Sequence, residues 1–213
     1  MEVFDKPLKQ RTAVRQAGLV EAALSLAAQR SPADITTTDL AQAVGITQGA
    51  VFRHFASKEA IWLAVLDWVA DTLMARLQAA ALVSPDLSNP PTPLAALRAV
   101  FLAHVDFVVT HPGVPRVIFQ ELQSPHDTAL KARVRSLMQR YRQLLMALLQ
   151  QAQATHSIAP NADLQAASVL FVGSVQGLVM QSLLSGDVAG ITAQAPGVFA
   201  IYQRGLQTCP TDS

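Results

Sequence analysis

The chain has 213 residues, of which 51% are hydrophobic and 15% charged, and its formal net charge is +1. The apolar content allows a large core and excludes a disordered chain, whereas the near-zero charge excludes a polybasic binder of nucleic acid. The only cysteine, Cys209, excludes a disulfide framework within one chain. The polar opening segment resembles no secretory signal, so a cytoplasmic location is expected.

Hydrophobic spacing predicts helices in chain order, beginning with one over about 11–29. Thr36, followed three residues later by Asp39, matches a capping box and begins a short second helix. Gly45 is typical of a left-handed helix stop. Thr47 is then a candidate N-cap for a third short helix, over about 48–54.

The rest of the chain also reads as helix, so the predicted fold class is all-α. The proline-rich segment 84–93 is expected to be a loop. Asn161 is expected to cap the penultimate helix, and Pro196 to lie in the first turn of the last one. A long helix is predicted to begin near residue 58. The remaining predicted helices cover about 94–110, 115–122, 127–154, 162–184 and 195–207.

The second and third short helices, joined by a tight turn that contains glycine, form a helix-turn-helix near residues 36–55. Several apolar residues can pack inward, which leaves polar side chains on the outer face of the third helix. Hydroxyl, amide and guanidinium groups at a helix N-terminus suit the major groove of DNA, because the helix end attracts phosphate while Gln and Arg can read base edges. The outward-facing residues are Thr47, Gln48, Gly49, Phe52 and Arg53.

This stretch resembles the DNA-binding signature of the tetracycline-repressor (TetR/AcrR) family. The resemblance covers roughly residues 10–60, and beyond them only the helical layout agrees. It implies an N-terminal three-helix helix-turn-helix domain over 1–57 and a C-terminal helical effector-binding and dimerisation domain over 58–213. The matching residues run Thr36, Asp39-Leu40-Ala41, Gly45-Ile46-Thr47, Gly49-Ala50-Val51-Phe52-Arg53-His54-Phe55 and Ser57-Lys58-Glu59.

The resemblance also implies a role for each matching position in the second and third helices. Thr36 and Thr38 would cap the second helix and contact backbone phosphate. Thr47 would cap the recognition helix and bind phosphate. Gln48 would read a base, and Gly49 would let the helix approach the groove closely.

The remaining implied DNA contacts follow the recognition helix. His54 and Lys58 would contact phosphate, with a solvated residue at a helix start as the alternative for Lys58, and Arg53 could serve either phosphate or base. Family members commonly have tyrosine where this chain has Phe52, so one phosphate contact is lost or replaced by apolar contact with a thymine methyl. Segment 27–32 also lacks the family's common aromatic–glycine–aromatic pattern.

Residues 164–186 carry no charge, so the helix that contains them needs burial. A membrane span is one reading, but polar residues within the stretch and the lack of flanking basic clusters favour a protein interface. Gly173 and Gly177 share one helix face and permit close approach of a partner, or tight packing within one subunit. The predicted homodimer interface consists of Gly173, Gly177, Val198, Phe199 and Tyr202.

By the same resemblance, the middle helices would enclose a small-molecule effector, and the scarcity of charge there favours an apolar or aromatic one. Ordinary core packing is the alternative for every candidate. The predicted pocket residues are Phe101, His104, Phe107, Phe119, Met138, Tyr141, Phe171 and, as a polar handle, Gln176.

The sequence contains no catalytic motif and no clustered metal ligands, so neither an enzyme nor a cofactor or metal site is expected. A membrane or scaffolding protein is the other rival class, and neither rival needs the helix-turn-helix signature. The resemblance therefore implies a homodimeric, ligand-responsive regulator of transcription. It would bind double-stranded operator DNA as a repressor, with activation left open.

Overall fold

The computed structural model describes residues 6–83 and 90–207, with side chains from residue 12 onward. This part of the chain contains nine α-helices and no β-strand, which confirms the all-α prediction. The helices are α1 (Lys6–Gln29), α2 (Thr37–Ala43), α3 (Gln48–Val51), α4 (Lys58–Leu82), α5 (Pro93–Thr110), α6 (Gly113–Gln123), α7 (Ala129–Ala154), α8 (Leu164–Ser185) and α9 (Gly190–Leu206).

The chain folds into two compact units whose limits differ from the predicted boundary at residue 57. Among the described residues, the N-terminal unit contains those up to Asp71 together with His111–Ser136, and the C-terminal unit contains those from Thr72 to Thr110 and from Leu137 onward. The difference arises because α4 and α7 each continue across a unit boundary. Because neither helix is interrupted at the boundary, the sequence contains no local signal for where one unit ends.

Within the N-terminal unit, α6 packs directly on the backbone of α1. Gly113 is buried, and a Cβ on it would overlap the carbonyl oxygen of Leu24 and lie 3.0 Å from the backbone nitrogen of Ala28. A second link joins the backbone N–H of Ala33 to Oε1 of Gln120 at 3.0 Å. These contacts bring a segment distant in sequence into the same unit as the helix-turn-helix.

Two helix starts in the C-terminal unit correct the sequence predictions. The N-cap of α8 is Asp163 rather than Asn161, because the Asp163 carboxylate accepts hydrogen bonds from the two N–H groups of residues 165 and 166, at 2.9 and 3.0 Å. Helix α9 begins at Gly190, whose N–H donates to the Asp187 carboxylate at 2.8 Å. Pro196 therefore lies inside α9 and not in its first turn.

Helices α5 and α8 are long and apolar enough to cross a membrane by length and composition. The chain itself buries 50% of the apolar window of α5 but only 39% of that of α8. Core helices of soluble proteins pass the same test, so it is weak evidence for a span. The exposed part of α8 does indicate an apolar face that the single subunit leaves uncovered.

Candidate nucleic-acid interface and effector region

The start of α2 is fixed by a reciprocal capping box, as the sequence predicts. The Thr36 hydroxyl accepts from the Asp39 N–H at 3.1 Å, and the Thr36 N–H donates to the Asp39 carboxylate at 2.7 Å. Hydrogen bonds from the hydroxyl and backbone of Thr36 lower the pKa of Asp39 to about 2. Arg30 also pairs with this carboxylate at 3.0 Å, so the end of α1 is tied to the start of α2.

The turn between α2 and α3 depends on a glycine. Gly45 has φ +67°, in the left-handed region that the sequence predicts for it. The next N–H, on Ile46, donates back to the carbonyl of Ala41 at 2.9 Å. This six-to-one hydrogen bond closes α2 in the manner of a Schellman motif and aims α3 away from α2.

Helix α3 presents its N-terminus and its predicted contact residues to solvent. The Thr47 hydroxyl accepts from the Ala50 N–H at 3.2 Å, which confirms Thr47 as the N-cap. A Cβ added at Gly49 would meet no atom within 4 Å, so the surface beside it is open. The other exposed residues among those predicted to contact DNA are Thr36, Thr38, Thr47, Gln48, Phe52 and Arg53. Helix α3 ends at Val51, three residues before its predicted limit.

Behind this surface, buried apolar side chains hold the two helices together. Leu40, Ala41, Val51 and Phe55 are all buried. The apolar side of each short helix therefore faces the N-terminal unit, and the polar side faces outward. A helix-turn-helix needs this division, because the recognition helix must be supported from one side only.

His54 and Lys58, the two residues after α3 that are predicted to bind phosphate, are half-buried. Both contact other parts of the N-terminal unit. The Lys58 ammonium donates to the carbonyl of Ala33 at 3.0 Å, a contact that the sequence does not reveal. Lysine has three N–H donors, so this bond leaves two for phosphate. The carbonyl of His54 accepts from the Gln16 side chain at 3.0 Å, which attaches the end of the helix-turn-helix to α1.

A residue absent from the predicted set, Thr37, contacts the predicted base-reading residue. The Gln48 amide nitrogen donates to the Thr37 hydroxyl at 2.9 Å. The two residues are the first of α2 and of α3, eleven positions apart. No local sequence rule predicts this contact, and the only sequence signal near it is the run of three threonines at the start of α2.

The C-terminal unit has an aromatic core built from four helices. Phe171 of α8 lies 5.3 Å from Phe101 of α5 and 5.4 Å from Tyr202 of α9, measured between ring centroids. Tyr141 of α7 and Phe199 of α9 complete the cluster, at 6.3 and 6.4 Å from Phe171. Most of these pairs are edge-to-face, the arrangement that the ring quadrupoles favour.

Two polar features interrupt this aromatic core. His104 Nδ1 and the Tyr141 hydroxyl form a hydrogen bond of 3.0 Å. Burial lowers the pKa of His104 to about 4 and raises that of Tyr141, so both are neutral at pH 7. The Tyr202 hydroxyl is buried and has no hydrogen-bond partner among the described residues.

The structure separates the predicted pocket residues. Phe101, Phe107, Tyr141 and Phe171 are buried in the C-terminal unit, whereas Met138 is half-buried there. Phe119 belongs to the N-terminal unit. Gln176, the predicted polar handle, is exposed on α8 and does not face the aromatic core; the His104–Tyr141 pair supplies the polarity inside it.

The predicted dimer residues also divide into two groups. Gly173 and Gly177 are exposed, and Val198 lines an open groove of 580 Å³ between α8 and α9. Phe199 and Tyr202 are only 1% and 3% exposed. Phe199 packs on Phe101 and Phe171 in the core of its own subunit, so its assignment to the interface is corrected. Tyr202 packs on Phe171 but also lines the groove, so its assignment stays a prediction.

Apart from Leu170, which lines the groove beside α9, the large exposed apolar residues of α8 form one continuous stripe that sequence reasoning only partly identified. They follow the helical repeat, every third or fourth residue, so they share a face with the two glycines. The signal was present in the spacing, but an all-apolar helix does not show which of its faces is buried. The stripe consists of Val169, Gly173, Gly177, Met180 and Leu184.

Two family models match separate parts of the chain. Residues 19–65, which contain α2 and α3, match the model described as bacterial regulatory proteins, tetR family. Residues 117–195 match the tetracyclin repressor-like C-terminal domain. The two matches do not overlap and together cover more than half of the chain.

Similar proteins agree with these models. The nucleoid occlusion factor SlmA of Salmonella dublin is 28% identical over 137 residues, covering 64% of this chain and 66% of that protein, just under two thirds of its length. The fatty acid degradation regulator FadR of Bacillus halodurans superposes with a TM-score of 0.78 at 16% identity, covering 92% and 97% of the two chains. FadR of Bacillus subtilis in complex with stearoyl-CoA gives 0.75 at 16% identity, covering 90% and 99%. At such identities the structures establish a shared fold.

Proposed function

The chain belongs to the tetR family of bacterial regulatory proteins, and we propose that it is a cytoplasmic, homodimeric repressor that binds operator DNA and is released by a small apolar effector. The observation that carries the DNA-binding part is the exposed N-terminus of α3 on a helix-turn-helix whose caps and turn are fully formed. Binding and regulation, rather than catalysis, are the proposed activities.

The proposed DNA contacts are those that the family resemblance implies. Gln48 reads a base edge, and Phe52, a residue that is 48% exposed, packs on a thymine methyl. Phosphate contacts come from Lys58 and from the threonine hydroxyls at the two helix starts, except that of Thr36, which already donates its proton to the Asp39 carboxylate at 2.7 Å. Two recognition helices of a dimer would enter successive major grooves about 34–36 Å apart on a near-palindromic site.

The proposed dimer forms through the exposed stripe of α8 defined above and the neighbouring face of α9. Leu184 is 76% exposed and Ile201 66% exposed, which is costly for side chains of this size in a monomer. The groove between the two helices is lined mainly by small and aliphatic residues, together with Asp163 and Tyr202. A second copy of the chain presents the same surface, so a twofold interface can cover both.

The proposed effector region is the aromatic core of the C-terminal unit. Its buried rings would line an effector site with apolar surface, and the His104–Tyr141 pair would supply polar groups that carry no charge. The FadR of Bacillus subtilis was solved with stearoyl-CoA, a ligand with a long apolar chain. An effector with an uncharged apolar body suits this environment better than a sugar phosphate.

The proposal is tested first by selecting binding sites for the purified protein from a randomised pool of duplex DNA, followed by a salt titration on the selected site. We expect a near-palindrome whose affinity falls steeply with salt, because phosphate contacts release counterions. A folded dimer that enriches no sequence would overturn the proposal.

The effector part is tested on the selected site with stearoyl-CoA and 1-naphthol as probes and coenzyme A as the headgroup control. We expect at least one of the two apolar probes to weaken operator binding while coenzyme A leaves it unchanged. If coenzyme A without an acyl chain releases the protein from DNA, or if neither apolar probe does so, the proposal of an apolar effector is contradicted. The evidence for DNA binding is unaffected by either result.

A further inference from the structure

We propose that Thr37 is a specificity-determining positioning residue: its hydroxyl orients the Gln48 carboxamide so that α3 reads adenine at one position in each half-site. The inference rests on the proposed DNA-binding function and extends it to a residue outside the predicted contact set. Its basis is the hydrogen bond of 2.9 Å from Gln48 Nε2 to Thr37 Oγ1.

The geometry matters because both partners lie at helix starts on the exposed surface. Gln48 is the first residue of α3 and is exposed, while Thr37 is the first residue of α2 and is half-buried. Thr37 is thus the more firmly held partner. A glutamine side chain without a partner samples many rotamers, and binding DNA would have to restrict them. The bond to Thr37 restricts them before DNA arrives.

The bond also determines what the carboxamide can still offer. A primary amide has two N–H donors and one carbonyl acceptor, and Thr37 uses a single N–H. When that N–H is the one pointing away from the carbonyl oxygen, the remaining donor and the acceptor lie side by side. Adenine presents the complementary pair in the major groove, with N7 as acceptor and the N6 amino group as donor. Guanine presents two acceptors there and cannot satisfy the carbonyl oxygen.

Thr37 itself keeps a function toward the DNA backbone. A hydroxyl that accepts a hydrogen bond retains its own proton and can donate it to a phosphate oxygen. The open surface at Gly49, the neighbour of Gln48, leaves room for the groove edge. One hydroxyl would therefore join the backbone contact of α2 to the base contact of α3, which fixes the register of both.

The experiment uses the full chain and the site selected by the wild-type protein, with each base pair replaced in turn and the affinity measured for every replacement. The variants are Thr37→Val, which keeps the branched shape without the hydroxyl, Thr37→Ser, which restores the hydroxyl, Gln48→Ala and the double variant Thr37→Val/Gln48→Ala. Thermal melting of each variant checks the fold, and Thr37→Ala replaces the valine variant if that one melts early.

We expect Gln48→Ala to abolish the preference for adenine at one symmetric position, a loss of about 5- to 150-fold in discrimination. Thr37→Val should lower discrimination at the same position by about three- to tenfold, and Thr37→Ser should restore it. In the Gln48→Ala background Thr37→Val should change no base preference at all, because the two residues act as one unit.

Three results would overturn the inference while the proposed function stands: weakening of all sites by Thr37→Val with no change in base discrimination, loss of preference at a different base pair, or additive losses of base discrimination in the double variant. A preferred base other than adenine at the Gln48 position would do so as well. If the wild-type protein selects no site, the proposed function fails and this inference fails with it.

Discussion

Replacing both Gly173 and Gly177 with alanine tests whether the exposed stripe of α8 is a close-packed contact between subunits. Inside the subunit, a Cβ at either position meets no atom within 4 Å. Alanine favours a helix over glycine by about 1 kcal/mol per position, so the double variant should stabilise the isolated subunit by about 2 kcal/mol. This gain is the same in monomer and dimer and does not change their equilibrium.

In a dimer that brings the two α8 backbones together at this face, the double variant places four methyl groups in the contact. Overpacking costs about 1–3 kcal/mol per group, so even the lowest value gives about 4 kcal/mol, or roughly a thousandfold weaker dimer. Sedimentation velocity over a range of protein concentrations measures this shift. Thermal melting at a fixed low concentration reports the subunit's own stability.

The matched control is Gly18→Ala in α1, where an added Cβ also meets no atom within 4 Å. The control should raise the melting temperature and leave the dimer unchanged. If the α8 double variant behaves like this control, with a higher melting temperature and an intact dimer, the glycines are not in a close contact and the proposed interface is wrong.

Three further predictions concern single subunits. Gly113→Ala should destabilise the N-terminal unit by about 3 kcal/mol or more in denaturant unfolding, because the added methyl overlaps the Leu24 carbonyl oxygen, which belongs to a helix backbone and cannot rotate away; wild-type stability would contradict this packing. Tyr202→Phe should leave the free energy of unfolding unchanged or raise it by up to about 1 kcal/mol, since it removes a buried hydroxyl without a partner; a loss above about 1 kcal/mol would show that the hydroxyl is satisfied. Thr36→Ala should cost about 1 kcal/mol near pH 7. Because the folded pKa of Asp39 is about 2 and its ordinary value is 3.8, the Asp39 contribution is present above pH 4 and lost as the pH falls towards 2; a difference between the variant and wild type that is constant over this range would contradict the capping box.

The features that sequence reasoning predicted correctly depend on residues only a few positions apart. The Thr36 and Thr47 caps and the left-handed Gly45 are of this kind. In each case the physics is local: a side-chain oxygen meets a free N–H three residues on, or a glycine adopts a conformation that other residues avoid. Such features survive in any tertiary context.

What could not be predicted depends on which distant segments meet. Gly113 lies against α1, far away in sequence, and no local pattern distinguishes it from a helix-starting glycine. The sequence predicts Phe199 on an interface because α9 is apolar on more than one side. The choice between its faces is made by the rings of Phe101 and Phe171, which receive Phe199 in the core.

The contacts of the helix-turn-helix also bear on where the proposed regulation would act. Gln48 is held by Thr37, Lys58 by the backbone at Ala33, and the start of α2 by its capping box. Because these hydrogen bonds hold the DNA-contacting residues in place, we expect little rearrangement within the helix-turn-helix when an effector binds. An effector shifts an equilibrium only by its differential affinity for two states, and those states must differ in something that DNA senses. Since each head is anchored internally, we expect that difference to be the distance between the two recognition helices of the dimer, measured against the groove spacing of about 34–36 Å.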